Sequence, residues 1–310
     1  MQVSAALIPV FILILIGYGM RRLNFPGDSF WPPAEKFLYY FLFPMMLVDK
    51  LTYAKRDGLM LDRLFLAILL AFAIASALML AIQRWRRWSG SRFTSVYQGA
   101  VRFNSYVGLA AVQALQGDQG LALAALSMSI MIPLINVLCI GAFALYVEQS
   151  APGWRGVGKA IVTNPLILGS LAGLTFNSLG VGFPDAVNQV LKLVGGMALP
   201  LGLLCVGAAL DLRNLKGAGS SLMISSAFKL GLFPLIFVGS ALALQLPPLN
   251  VAVFAVLGCL PTATASYILA RQLGGDAPLM AGIISAQTLM AMITMPLALS
   301  LLTSALQWWG

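Results

Sequence analysis

The chain has 310 residues, of which 60% are hydrophobic and 9% charged, and its mean hydropathy is +0.90. So little polar surface excludes a water-soluble globular protein and places the chain in a membrane. The net charge of +9 does not mark a nucleic-acid partner: most of the Lys and Arg sit in short links between apolar runs, where they report topology.

Apolar runs able to cross about 30 Å of hydrocarbon fall at about 4–20, 33–52, 62–83, 94–115, 119–147, 158–177, 187–210, 221–245, 249–271 and 278–307. They predict an all-α integral membrane protein of ten transmembrane helices. The first run has no Lys or Arg before it and Arg21-Arg22 directly after it, the reverse of a secretory signal peptide. It is expected to stay in the membrane. The fourth and fifth runs are separated only by Gln116-Gly117-Asp118-Gln119-Gly120. Arg21, Arg22, Arg84, Arg86, Arg87 and most other cations fall on one side of alternate links, against Lys50, Lys55, Arg56, Arg63 and Lys192 on the other. The richer side is then cytoplasmic and both termini lie outside.

Cys139, Cys205 and Cys259 stand singly within apolar segments and the chain has no His. Neither a disulfide framework nor a metal site is expected, and no cofactor.

Divided in the 148–158 link, the ten runs give a five-helix repeat over 1–150 and another over 151–310. An odd number of helices per copy makes the second enter the membrane from the opposite side, so the repeat is inverted. Phe43-Pro44 is echoed by Leu199-Pro200, and Ile132-Pro133 by Met295-Pro296. The strongest echo is polar. Arg102-Phe103-Asn104-Ser105-Tyr106 interrupts the fourth run and Pro261-Thr262-Ala263-Thr264-Ala265-Ser266-Tyr267 the ninth, each followed by Gly-Asp.

Interruptions at matching places in two halves point to a transporter's binding site. Asn104 puts an amide at mid-membrane, which needs partners there, and Pro261 removes a backbone donor that Thr262, Thr264 and Ser266 can replace. Two broken helices crossing at mid-depth would aim their positive N-terminal ends at one spot and favour an anion. Arg102 lies about nine residues into its run, about 13 Å at 1.5 Å per residue, and an intramembrane charge is a functional candidate. Lys229 is expected instead to snorkel toward the headgroups. No Asp or Glu falls clearly inside a run, which leaves an anionic substrate as the partner of the buried cation. Asn136 and Gln287, in the helices after the two interruptions, complete the candidate substrate-binding set of Arg102, Asn104, Ser105, Tyr106, Pro261, Thr262, Thr264 and Ser266. Gln113, Asn164 and Asn177 are expected to join helices, and Gly169-Ser170 with Gly173 and Gly195-Gly196 to let helices approach closely.

These residues resemble the auxin efflux carrier family over essentially the whole chain. The resemblance rests on Tyr39 to Leu47 with Pro44, Asn104 to Gly108 with Gln113 and Gly117-Asp118, Asn164-Pro165-Leu166, Lys229 with Pro234, and Leu260-Pro261 through Arg271. It implies an inverted repeat of five helices, crossover helices four and nine, scaffold and transport subdomains that each draw on both repeats, and often a homodimer. Asn104 matches the family's asparagine at the first crossover and Pro261 the proline at the second. Phe103 stands where plant members have proline, and their long central loop is absent. Bacterial members are associated with malonate, malate and similar carboxylates, and the related bile-acid symporters bind sodium partly through a core acid.

The expectation is therefore a secondary carrier or facilitator of small organic anions, mono- or dicarboxylates, in a bacterial cytoplasmic membrane, working by alternating access in the direction of efflux. Membrane lipid and the substrate are its expected partners. Expelling a monoanion from a cell negative inside gains about 2.3 kcal/mol per 100 mV, so no coupling ion is required. A non-transporting ligand sensor or scaffold is the alternative. A membrane-embedded enzyme is disfavoured, because zero His and no core carboxylate remove most hydrolytic machinery.

Overall fold

The computed structural model describes residues 2–54, 60–147, 162–215 and 219–306, and every regular element among them is helical. α1 (Gln2–Arg22) is followed by α2 (Trp31–Phe37), a π-helical turn (Leu38–Leu42) and α3 (Phe43–Thr52), which run without a gap through the second predicted run. α4 (Leu61–Arg86) is a single long helix. Next come α5 (Gly90–Val101) and α6 (Ser105–Tyr146), the latter turned at Gly117, whose φ of 64° and ψ of −156° are not helical. That glycine lies in the five-residue spacer that separates the fourth and fifth runs in the sequence, and such a positive φ favours a residue without Cβ.

The second half opens with α7 (Pro165–Leu179); residues 158–161 of the predicted run lie outside the described residues. α8 (Asp185–Gly196) and α9 (Ala198–Ala208) meet at Met197. α10 (Gly219–Ala227), a second π-helical turn (Phe228–Leu232) and α11 (Phe233–Ala243) again form one continuous stretch. α12 (Pro248–Gly258) and α13 (Ala265–Gln272) are separated, and α14 (Ala277–Leu306) closes the described chain. Among the described residues these elements group into ten helices, and six stretches are long and apolar enough to cross a membrane.

The solvent is legible on the outer faces. Ile8, Ile12, Leu15 and Ile16 on α1, and Phe65, Leu66, Leu70 and Ile74 on α4, are exposed although large and apolar, as lipid contact requires. Inside, two seams hold helices close. α1 packs along α9, where a Cβ at Gly17 would run into the backbone of Leu204 and one at Gly207 into that of Ile14. α3 packs on α7 and α8, and a Cβ at Gly169 would come within 2.8 Å of Pro44 Cα and one at Gly195 within 2.9 Å of Met46 Cα. With little apolar driving force between helices in lipid, such small residues bring association through close van der Waals contact. Between the seams, α5, α6, α12 and α14 meet and carry the two polar interruptions.

Lys229 corrects its expectation. It does not snorkel: the residue is fully buried, and Nζ stands 3.6 Å from the ring centroid of Phe233 with no hydrogen-bond partner. The π-helical turn that carries it packs against α5 and α14, so its side chain enters the protein instead of running out to a headgroup.

Candidate substrate cavity at the two helix interruptions

α5 ends at Val101, Arg102 is extended (φ −73°, ψ 158°), and α6 starts again at Ser105. On the other side α12 ends at Gly258 and α13 starts at Ala265. The two interruptions meet: the Asn104 backbone N–H donates to the Pro261 carbonyl at 2.8 Å. A buried backbone group away from helix or water needs such a partner, and here each interruption serves the other.

Side chains finish the accounting. Asn104 is the N-cap of α6, its Oδ1 accepting from the N–H groups of Tyr106 at 3.1 Å and Val107 at 3.2 Å. Asn164 caps α7 in the same way, accepting from Leu166 and Ile167. Gln287 joins the two interruptions from α14: Oε1 accepts from the Thr262 N–H at 3.0 Å and Nε2 donates to the Gly99 carbonyl at 3.0 Å. Thr262 Oγ1 donates to the Gln98 carbonyl at 3.3 Å and lies 3.4 Å from Ser266 Oγ. Thr262, Ser266 and Gln287 are essentially fully buried.

Beside this knot lies a cavity of about 460 Å³. Of the ten residues singled out in the sequence, Arg102, Asn104, Ser105, Tyr106, Asn136 and Thr264 line it, while Pro261, Thr262, Ser266 and Gln287 do not. The latter four hold the knot. Arg102 Nη1 donates to Asn136 Oδ1 at 3.1 Å, which pairs two of the candidates directly. Tyr106 stacks on Phe43 with ring centroids 5.1 Å apart and 12° between planes. Two donors in the lining are buried and unpartnered, Arg102 Nε and Asn104 Nδ2.

Glu35, Lys36, Tyr39 and Tyr40 also line the cavity and were not among the candidates. Glu35 and the buried Asp49, the two acids of the second run, correct the expectation that no acid enters the interior; Glu35 sits one turn before Tyr39 on the same helix face, and an acid near the start of an otherwise largely apolar run was the signal available. Asn177 joins helices as expected, donating to the carbonyls of Thr52 and Ala54, whereas Gln113 donates to Asp118 within α6 at 3.0 Å. Among the described residues no cluster of His, Cys, Asp or Glu could hold a metal ion.

Residues 155–299 match a family model described as membrane transport protein, that of the auxin efflux carriers. That match spans 145 of the 310 residues, so it is a similarity of the second half of the chain to membrane transport proteins. It is 25% identical to a protein of Rhizobium meliloti (strain 1021) named "Putative malonate transporter", over 88% of this chain and 87% of that protein. An "Uncharacterized transporter" of Methanothermobacter thermautotrophicus is 22% identical, with 95% and 96% covered. The human ileal sodium/bile acid cotransporter is 28% identical over 39% of this chain and 36% of its own length. The chain is thus a membrane transporter and not an enzyme.

Proposed function

We propose that the protein carries small organic anions, mono- or dicarboxylates, through the cavity beside the two interruptions. The observation that carries this reading is the pair of unpartnered donors, Arg102 Nε and Asn104 Nδ2, in a cavity where α6 and α13 both begin. Charge-assisted hydrogen bonds to a carboxylate are the strong ones, and helix N-termini favour negative charge by about 0.3–1 kcal/mol each. The relative named for malonate makes that dicarboxylate the first substrate to try.

In this reading residues 1–150 and 151–310 are inverted copies, the interruptions are the crossings of helices four and nine, and alternating access moves one group of helices past the other around them. The cavity rim carries exposed Lys36 near the start of α2, on the side that the positive charges assign to the cytoplasm. The cavity then opens inward, as an exporter loading its substrate requires, in a cytoplasmic membrane with both termini outside.

Counterflow in proteoliposomes tests the function. With unlabelled malonate inside, labelled malonate outside should accumulate transiently to many molecules per protein. Saturation at one molecule per protein would instead identify a sensor.

A further inference from the structure

Glu35 lines the same cavity as Arg102 and Asn104, yet among the described residues it has no ion pair and no hydrogen bond, although Lys36 is its neighbour in sequence. The charged and titratable groups around it are Lys36, Tyr39 and Tyr40 on its own helix, Arg102 and Tyr106 across the cavity, and Cys205 on α9, which packs on α2. Arg102 gives Nη1 to Asn136 and keeps Nε for one carboxylate. A substrate carboxylate and an ionised Glu35 would therefore share about 460 Å³, where Lys36 and Arg102 are the lining cations and neither pairs with Glu35. Two like charges in one site do not both stay ionised; one takes a proton.

The geometry points to Glu35 as a proton-carrying group that loads with the substrate, and this rests on the anion reading above. The proton comes from water on the side where the anion enters and forms an O–H bond on a Glu35 carboxylate oxygen. It returns to water on the side where the anion leaves, and nothing is oxidised or reduced. A dicarboxylate carried with one proton keeps one net negative charge, so the membrane potential still favours export.

The test uses proteoliposomes of the full chain with labelled malonate and an internal pH indicator, over the range where malonate is fully ionised. Wild type should acidify the lumen as malonate enters, and its exchange should fall by up to about tenfold per pH unit once Glu35 no longer holds its proton when empty. Glu35→Gln, a permanent mimic of the protonated form, should exchange malonate with a flat pH profile and no proton movement; Glu35→Asp should restore the slope. Malonate entry without acidification in wild type, or a wild-type slope in Glu35→Gln, would overturn the proposal while leaving anion transport standing. If Glu35→Gln does not accumulate, the wild-type indicator signal decides. Absence of any carboxylate exchange would overturn the anion reading and this proposal together.

Discussion

The interruptions at 102–104 and 259–264 look alike in sequence and divide their work differently in the structure. The first offers side chains to the cavity: Arg102 and Asn104 both line it with donors to spare. The second offers mainly backbone, with the Pro261 carbonyl taking the Asn104 N–H and the Thr262 N–H held by Gln287. Only Ala263 and Thr264 of that segment reach the lining before α13 begins. A matched pair of helix breaks thus need not yield a matched pair of lining sets; one break can line the cavity with side chains while the other supports it with backbone.

Removing the support should have the largest effect. Gln287→Leu keeps the volume but leaves the Thr262 N–H and the Gly99 carbonyl buried without a partner, at about 1–3 kcal/mol each. A loss of about 2–6 kcal/mol should appear as a lower midpoint of thermal unfolding in detergent, with or without substrate. An unchanged midpoint would mean that the two interruptions do not depend on this clamp.

Arg102→Ala should act on the other member of the comparison. It removes a charge-assisted donor from the cavity, about 1.5–3 kcal/mol, so carboxylate affinity should fall roughly ten- to a hundredfold in transport competition assays while a neutral analogue of similar shape changes little. Arg102→Lys should recover only part, since an ammonium has no planar fork. Equal losses for both ligands would move Arg102 from the substrate to the support.

The spans were legible because runs of about 20 apolar residues have one physical explanation in a chain of this composition. The meeting of Asn104 with Pro261 was legible because polar residues at mid-membrane must find partners. Which face each residue presents was not. A helix that is apolar all round carries no amphipathic signal, so hydropathy could not tell that Glu35 turns to the cavity or that Thr262 and Ser266 turn away from it. The π-helical turns at Leu38–Leu42 and Phe228–Leu232 shift the angular register of the helices α3 and α11 that continue from them; each runs into a Leu-Phe-Pro sequence, whose proline (Pro44, Pro234) disturbs the preceding turn, a signal that hydropathy alone does not carry. Lys229 shows the consequence: its position suggested an interface, and the turn that carries it buries it against Phe233.

Asn104 sharpens the comparison most finely, because it belongs to both kinds of work. Its Oδ1 caps α6 while its Nδ2 remains free beside the cavity, so two substitutions separate the roles. Asn104→Ala loses both, and the cap alone is worth about 1 kcal/mol, so stability and carboxylate affinity should fall together. Asn104→Asp retains the capping oxygen, and its charge suits a helix N-terminus; its unfolding midpoint should stay near wild type. It also replaces the unpartnered donor of a residue that lines the cavity with an acceptor, so carboxylate affinity should fall at least as far as in the alanine variant. If Asn104→Asp keeps wild-type affinity, the amide nitrogen does not meet the substrate, and Asn104 belongs wholly with Gln287 in holding the two interruptions together.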